Sequence, residues 1–452
     1  MNKQEAKTYK PREQQYNLFR DQSVIVGVIC LSGGNHAKNR NISFAANGMN
    51  AILSELRYQY EYVTVDRIKD YSVCLLSLTS ISDVEQSALQ IRPEHKGSCT
   101  VIAGGQGCLS IYPIINIVDV AVFGRAEGQI NDIIDGATPD NVWRKEIDPY
   151  MSGRYQLRQH QYFVGGECAV GCRKKCFFCQ YTWTRKHVTT GAGYSHGSDL
   201  VTPEEDWSGL AVTKPGRYTT AWDGWSEQTR IAVNKHIMDV QIHDKLTGIM
   251  ASNFSSVVNL KIFNIVWYPW ETEASLTADI ATTSKLLASV DAESGTRILI
   301  MFLVTPFSPE PLTPMADYPA NVTVDTRGIF ERIGRQVYKG KKIEAFVLPQ
   351  INSGFTLAKR VLINRGISGA QLTKIIKKCA KYPASEKVKV MSDYIDMHVF
   401  GWLRMESNLE SYCKIPKSRA HVLCAEPPAE HYGTGQNIGQ HRQYAIPLDT
   451  KE

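Results

Sequence analysis

No stretch of this chain is long and apolar enough to cross a bilayer; the best candidate, "NLKIFNIVWYPW", is short and broken by Pro269. The N-terminus, "MNKQEAKTYKPREQQYNLFRDQ", lacks the apolar core of a secretory signal. Internal repeats and low-complexity tracts are absent. Extreme charge is absent too: the net charge of +6 is compatible with a nucleic-acid partner without demanding one. With 43% hydrophobic and 21% charged residues, the chain has too much apolar content to belong to the disordered class. These absences leave a soluble protein with no membrane partner, expected in the cytoplasm, or in a host cytoplasm if viral. That compartment is reducing, so clustered cysteines there read as metal ligands before disulfides.

At 452 residues the chain can build two or three cores. Residues 1–20 read as a polar arm. From 21 to 145, "SVIVGVICL", "YEYVTV", "YSVCLLSLTS", "CTVIAGG" and "VDVAVFG" are strand candidates, and "FAANGMNAILSELRYQY" has helical spacing. Strand and helix in alternation predict a parallel sheet with helices on its faces. "GGQG" after one strand lacks the glycine spacing of a dinucleotide fingerprint and is equally well explained as a tight turn. Residues 150–345 continue the α/β rhythm with "RYTTAWDG", "SEQTRIAVNKHI", "LKIFNIVWY", "SLTADIATTSKLLASV" and "TRILIMFLVTPF". A Gly, Ser and Thr-rich loop is expected over 187–216, with a short helix after Pro203. Residues 346–424 read as helical, including the basic amphipathic stretches "LAKRVLINRG" and "GAQLTKIIKKCAKY" and a further helix in "SDYIDMHVFGWLRMESNLESYC"; residues 425–452 read as a polar tail.

Four of the eleven cysteines fall in "ECAVGCRKKCFFCQY". Cys172, Cys176 and Cys179 are spaced C-x3-C-x2-C, with Cys168 nearby. The second C-x2-C pair of a structural zinc site is missing, although Cys168 as a fourth ligand keeps zinc open. Thiolates also hold iron–sulfur clusters, where four ligands saturate a four-iron cluster and three leave one iron open to a substrate. Cys30, Cys74 and Cys99 lie in apolar runs and read as small buried hydrophobes.

C-x3-C-x2-C with an aromatic residue before the last cysteine, here Phe178, resembles the signature of radical S-adenosylmethionine (SAM) enzymes. "DGWSEQTRIAVNK", "WYPWETEASL" and "TPFSPEPLTPM" resemble later segments of that family, so the likeness covers roughly residues 160–320. It implies a [4Fe–4S] cluster on Cys172, Cys176 and Cys179, SAM bound at the open iron, and a 5′-deoxyadenosyl radical as the working oxidant. It further implies Phe178 near the adenine, and Ser226 and Arg230 at the SAM carboxylate or ribose; a solvated helix face accounts for Arg230 equally well. Glu271 reads as a brace for the turn after Pro269. An electron donor such as flavodoxin or ferredoxin is implied.

"VIAGGQGCLSIYP" and "DVAVFGRAEGQ" resemble the cobalamin-binding-like domain that precedes the barrel in one subgroup. Ala126 and Gln129 interrupt the second motif, and the D-x-H-x-x-G that supplies a cobalt-ligating histidine is absent; "GGNHAKNR" does not replace it. Cobalamin is therefore a doubtful candidate cofactor. The expected fold is α/β: a Rossmann-like, cobalamin-binding-like parallel sheet, a partial (β/α) radical SAM barrel and a smaller C-terminal region.

Three functions remain. One is rearrangement of a nucleobase substituent, the best guess being isomerisation of a glycyl adduct on hypermodified thymine in phage DNA. It draws on the positive balance, the basic helices and tryptophans that look exposed (Trp222, Trp225, Trp267 and Trp270), rings whose usual fate is core. The second is a cobalamin-dependent methyltransferase or small-molecule maturase. The third is a non-catalytic zinc module on DNA. Tyr181, Arg185 and Lys186 could form a basic rim beside the cysteines, or a solvated loop.

Overall fold

Apolar runs in the first third of the chain pair into one sheet. The computed structural model describes residues 24–31, 44–149, 151, 155–159, 169–172, 174–185, 188–189, 212, 214–316, 318, 320–322, 326–349, 354–383 and 386–391. The polar arm, the helix after Pro203, the helix expected from "SDYIDMHVFGWLRMESNLESYC", the tail, "GGNHAKNR", Cys168 and Lys186 lie outside the described residues.

The first sheet contains β1 (Ile25–Cys30), β2 (Gln59–Tyr62), β3 (Val73–Ser77), β4 (Thr100–Gly104), β5 (Val120–Val122) and β6 (Val142–Arg144), in the order β2-β1-β3-β4-β5-β6. The first five are parallel and β6 closes the edge antiparallel. This is a doubly wound order with its switch point between β1 and β3. The connecting helices are α1 (Phe44–Glu55), α2 (Ile81–Gln90), α3 (Pro93–Lys96) and α4 (Ile130–Ile134). Both faces are covered. Cys74, Leu76, Val101, Ala103 and Phe123 enter one core, while Val26, Leu75, Ile102, Val120 and Val122 enter the other. Runs such as "VCLLS" are apolar without alternation for this reason.

The glycines after β4 serve the chain's own packing. Gly105 has φ +107°, and a Cβ there would stand 2.4 Å from the Leu78 carbonyl oxygen. Gly107 is similarly hemmed in by Ser80 and Leu78, whereas a Cβ on Gly104 would meet open space. The tight-turn account holds for two of the three.

After a two-residue antiparallel pair, β7 (Ala169–Val170) with β8 (Val188–Thr189), and the short α5 (Gln180–Thr184), the second sheet begins. It contains β9 (Arg217–Ala221), β10 (Val258–Val266), β11 (Ile298–Pro306), β12 (Gln336–Lys339) and β13 (Ile343–Pro349), in the order β12-β13-β11-β10-β9. All pairs are parallel except β12 with β13. The helices are α6 (Glu227–Ala232), α7 (Asp239–Ala251), α8 (Glu273–Asp291) and α9 (Thr326–Arg332). α7 and α8 lay Ile242, Leu246, Leu276 and Leu287 on one face of the sheet, against Leu260, Ile262, Ile300 and Phe302.

The last helices do not form a separate layer. α10 (Gly354–Asn364) and α11 (Gly369–Cys379) return to the first sheet, where Leu357, Val361, Leu372 and Ile375 join the core of Leu76 and Val84. Asn364 ties the halves together: its amide donates to the Pro309 carbonyl at 2.8 Å, and Ser110 Oγ donates to its Oδ1 at 3.0 Å. The mixed α/β architecture with parallel sheets is thus the one expected. No helix among the described residues is long and apolar enough to cross a membrane.

Candidate metal and cofactor site

Three parallel strands of the second sheet end around the cysteine loop. β9 leads to Trp222 and Asp223, β10 to Trp267 and Tyr268, and β11 to Phe307 and Glu310. Open α/β sheets bind their ligands beyond the carboxyl ends of strands. The loop is fastened there by its backbone. Phe177 N–H donates to the Val233 carbonyl at 3.0 Å, and Met315 N–H donates to the Phe177 carbonyl at 3.2 Å. Asn234 Nδ2 donates to the Lys175 carbonyl at 2.7 Å, and Trp183 Nε1 to the Cys176 carbonyl at 2.8 Å. Phe177, Trp183, Tyr268, Trp270, Phe307 and Met315 pack into one small core beneath the loop.

Non-glycine residues with positive φ border the same spot: Asp223 (+59°), Asn234 (+60°), Trp267 (+61°) and Leu312 (+63°). Asn and Asp tolerate this region. Trp and Leu do not, and each costs about 1–2 kcal/mol held there. Backbone strain of this kind concentrates at functional sites.

Cys172 and Cys176 are buried and Cys179 is half-buried. Burial pushes the Cys176 thiol well above its usual range, and repulsion from Cys179 and Cys172 adds to this while Lys235 opposes it. Burial, with the Glu310 carboxylate, pushes Cys179 up to about 12. The loop therefore gathers three thiols close enough to feel one another, and burial disfavours the thiolate at Cys176 and Cys179 in the absence of a cation. Among the described residues no three His, Cys, Asp or Glu side chains converge tightly enough to hold a single metal ion. A cubane cluster takes its thiolates on separate iron corners, so its ligands stand further apart than those of one ion. Three thiols without a histidine or carboxylate among them are a soft donor set that suits iron–sulfur ligation.

The other sequence-chosen residues divide. Phe178 lies beside the thiols, its ring centroid 6.1 Å from that of Tyr268, which stacks on Trp270 at 5.2 Å. Ser226 is the N-cap of α6, its Oγ accepting from Thr229 N–H at 3.2 Å. Arg230 is fully buried, so the solvated-face account does not hold. Its Nε donates to the Ile237 carbonyl at 2.7 Å, its Nη1 to the Trp225 and Gly224 carbonyls at 2.8 and 3.2 Å, and its Nη2 pairs with Asp239. These bonds hold the turn after β9 in place. Trp222, Trp225, Trp267 and Trp270 are all buried, the core fate usual for large aromatics, so the exposure that the nucleobase reading drew on is not there. Glu271 braces the turn as expected, accepting from Tyr268 N–H at 3.0 Å. Burial raises its carboxyl to about 8 against the pull of that N–H. Arg185 covers the Tyr181 ring at 4.3 Å and donates to Gln106 Oε1 at 2.8 Å.

Sequence reasoning passed over Asp223, Lys235, Glu310 and Gln106. Lys235 Nζ pairs with Asp223 Oδ2 at 2.9 Å in a nearly enclosed position. Burial pulls the Lys235 ammonium down, but the Asp223 carboxylate outweighs it and holds Lys235 above its ordinary value, so it stays cationic beside Cys176. Glu310 accepts from Gln180 N–H at 3.1 Å. Gln106, just past β4 of the first sheet, donates from Nε2 to Gln180 Oε1 at 2.7 Å. The carboxyl edges of both sheets thus meet at the cysteine loop. "WDG" after a strand was the one local signal for Asp223; the other three contacts span too much sequence to be read.

No protein-family model matches the chain, and no curated protein matches it. Two similar solved structures are forms of the cobalamin-dependent S-adenosylmethionine radical enzyme OxsB. The apo, selenomethionine-labelled form aligns over 85% of this chain and 58% of its own length, at 11% identity and a TM-score of 0.24. The form with aqua-cobalamin and S-adenosylmethionine aligns over 93% and 65%, at 11% identity and a TM-score of 0.25. The chain spans less than two thirds of the length of these structures. A likeness of this size carries no weight for the fold or the site.

Proposed function

We propose that the chain is a radical SAM enzyme whose cluster is held by Cys172, Cys176 and Cys179. The observation that carries the reading is the position of this C-x3-C-x2-C loop: three mutually interacting thiols beyond the carboxyl ends of parallel strands, ringed by strained backbone. Cys172, Cys176 and Cys179 would hold a [4Fe–4S] cluster, which, once reduced, would supply the electron for breaking a carbon–sulfur bond of the SAM sulfonium to give methionine and a 5′-deoxyadenosyl radical. The chain's own residues do the rest. Lys235, kept charged by Asp223, offsets the negative charge of the thiolates. Phe178, Tyr268 and Trp270 give a flat apolar wall suited to an adenine. The surrounding core keeps water from the radical. Arg230 acts by holding the turn that carries Asp223.

The test is anaerobic reconstitution followed by dithionite and SAM, with 5′-deoxyadenosine read by mass spectrometry. The wild type is expected to form it and Cys176→Ala to form none; equal formation by both would end the reading.

The substrate we carry forward is a nucleobase substituent, with the glycyl adduct of a hypermodified thymine in phage DNA as the specific case. Its support is the net charge of +6 and the exposed lysines Lys374, Lys377 and Lys378 on α11. Mass spectrometry of DNA nucleosides from cells with and without the protein tests it: a nucleoside that changes supports it, and identical profiles count against it.

A second reading adds cobalamin, favoured by the contact of Gln106 with the cysteine loop and the open space beside Gly104. Gly104 and Gln106 would border it. Cobalt retained after incubation with hydroxocobalamin supports this reading, and cobalt-free protein removes it.

A further inference from the structure

The face of the second sheet opposite α7 and α8 carries a pattern that the cysteine loop does not explain. Strand register sets Thr219, Lys261, Met301 and Phe346 side by side across β9, β10, β11 and β13. The next row is Ala221, Phe263, Leu303 and Leu348, and beyond it lie Ile265 and Thr305. Residues two apart on a strand share a face, so these rows form one surface. Phe263 is 42% exposed although it lies on the inner strand β10, and Lys261, Met301, Leu303 and Phe346 are half-buried. Their neighbours Ile262 and Phe302, on the covered face, are fully buried. Sheets of parallel strands are ordinarily covered on both faces. Among the described residues no helix covers this face, which leaves an apolar surface on inner strands available to an occupant.

Lys261 supplies the chemistry. It is the one cation in these rows, and among the described residues no carboxylate pairs with it. Two residues beyond Phe263 on the same strand, Ile265 packs against the core that holds Phe177, Phe178 and Tyr268. From Lys261 to Ile265 is four residues, roughly 13 Å at the rise of a parallel strand.

We infer that this face is the substrate surface and that Lys261 is its specificity-determining residue. It takes a molecule with an apolar or planar body and one anionic group, phosphate or carboxylate. The anion meets Lys261, the body lies on Phe263 and Leu303, and the far end stands beside the cysteine loop. Placing the reacting carbon at that far end rests on the radical SAM reading; anion binding at Lys261 does not.

The test uses full-length protein and two fluorescent probes of similar shape, the anion 1-anilinonaphthalene-8-sulfonate and the neutral N-phenyl-1-naphthylamine. Lys261→Met is expected to weaken the anion about tenfold and leave the neutral probe unchanged, the loss expected of one charge-assisted contact. Lys261→Arg should restore the anion, and Phe263→Ala should weaken both probes. 2-Naphthyl phosphate and 2-naphthoate compete in separate arms, and the stronger competitor on the wild type names the anion. Equal affinity of the anionic probe for wild type and Lys261→Met, or no displacement by either competitor, would overturn the proposal. Should Lys261→Met fold poorly, Lys261→Gln with the Arg variant gives the same comparison. Repeating the titrations on Cys176→Ala separates the two claims. Lys261-dependent binding that persists in protein unable to cleave SAM upholds the surface whatever becomes of the cluster.

Discussion

The two sheets share a strand direction and differ in how they are covered. In the first, Cys74, Leu75 and Leu76 are buried in succession, because helices and loops close both faces. In the second, β10 and β11 alternate buried and half-buried positions along their whole length, with Phe263 the exposed one. The first sheet is a scaffold that also carries the C-terminal helices. Among the described residues the second keeps one face and its carboxyl edge free of helices, and there the thiols, the ion pair and the strained turns collect. Coverage, more than topology, separates the structural half from the chemical half.

The largest expected effect lies at that carboxyl edge. Asp223→Asn keeps a residue that tolerates φ +59° but leaves the Lys235 ammonium without its carboxylate in a nearly enclosed place. A loss of about 3–5 kcal/mol is expected in urea denaturation, partly recovered in Asp223→Asn/Lys235→Met. If the single variant lost under ~1 kcal/mol, the pair would be no more than a solvated one.

Coverage itself is tested by comparing faces. Leu76→Ala in the first sheet and Ile262→Ala on the covered face of the second should each cost about 2–5 kcal/mol. Phe263→Ala, next to Ile262 on the open face, should cost about 1 kcal/mol or less, because half of its surface is already in water. Equal losses for Ile262→Ala and Phe263→Ala would erase the distinction between faces.

Much of this was legible in the sequence. Unbroken apolar runs such as "SVIVGVICL" marked the first sheet, and "LKIFNIVWY" marked β10, although the alternation in it, with Lys261 and Asn264 on opposite faces, carried the more useful message. β12 and β13 escaped notice because "YKGKKIEAFVLP" dilutes its apolar positions with lysines. The docking of α10 on the first sheet depends on contacts such as Ser110 with Asn364, which no local pattern encodes. At the site, cysteine spacing is local and readable. The turn linking Ser226 to Arg230 was readable too, but whether the arginine points to solvent, ligand or core depends on carbonyls supplied by Gly224, Trp225 and Ile237. The ion pair beside Cys176 is of the same unreadable kind.

An effect of comparable total size concerns pH. Folding raises the Glu271 carboxyl from 4.5 to about 8, so the native state binds the proton more tightly than the unfolded chain. Stability should therefore fall as pH rises between about 4.5 and about 8, by at most ~1.4 kcal/mol per pH unit from this group, and level off above. Glu271→Gln should remove that slope, so its advantage over the wild type grows toward pH 8. Parallel melting curves for the two proteins across this range would contradict the assignment.

A small effect is expected at the meeting of the sheets. Gln106→Ala deletes two hydrogen bonds, to Gln180 and from Arg185, and should cost about 1–2 kcal/mol. The loss should appear as faster proteolysis near α5, with the first sheet itself unaffected. An unchanged cleavage rate there would mean that the two edges are held together by other contacts.

The central claim is that three thiols at the carboxyl edge of the second sheet hold an iron–sulfur cluster, and metal analysis tests it most directly. Protein reconstituted without oxygen should carry about four iron and four sulfide per chain, and Cys172→Ala, Cys176→Ala and Cys179→Ala should each lose most of both. Wild-type protein that takes up zinc but no sulfide, or variants that load as fully as the wild type, would contradict it.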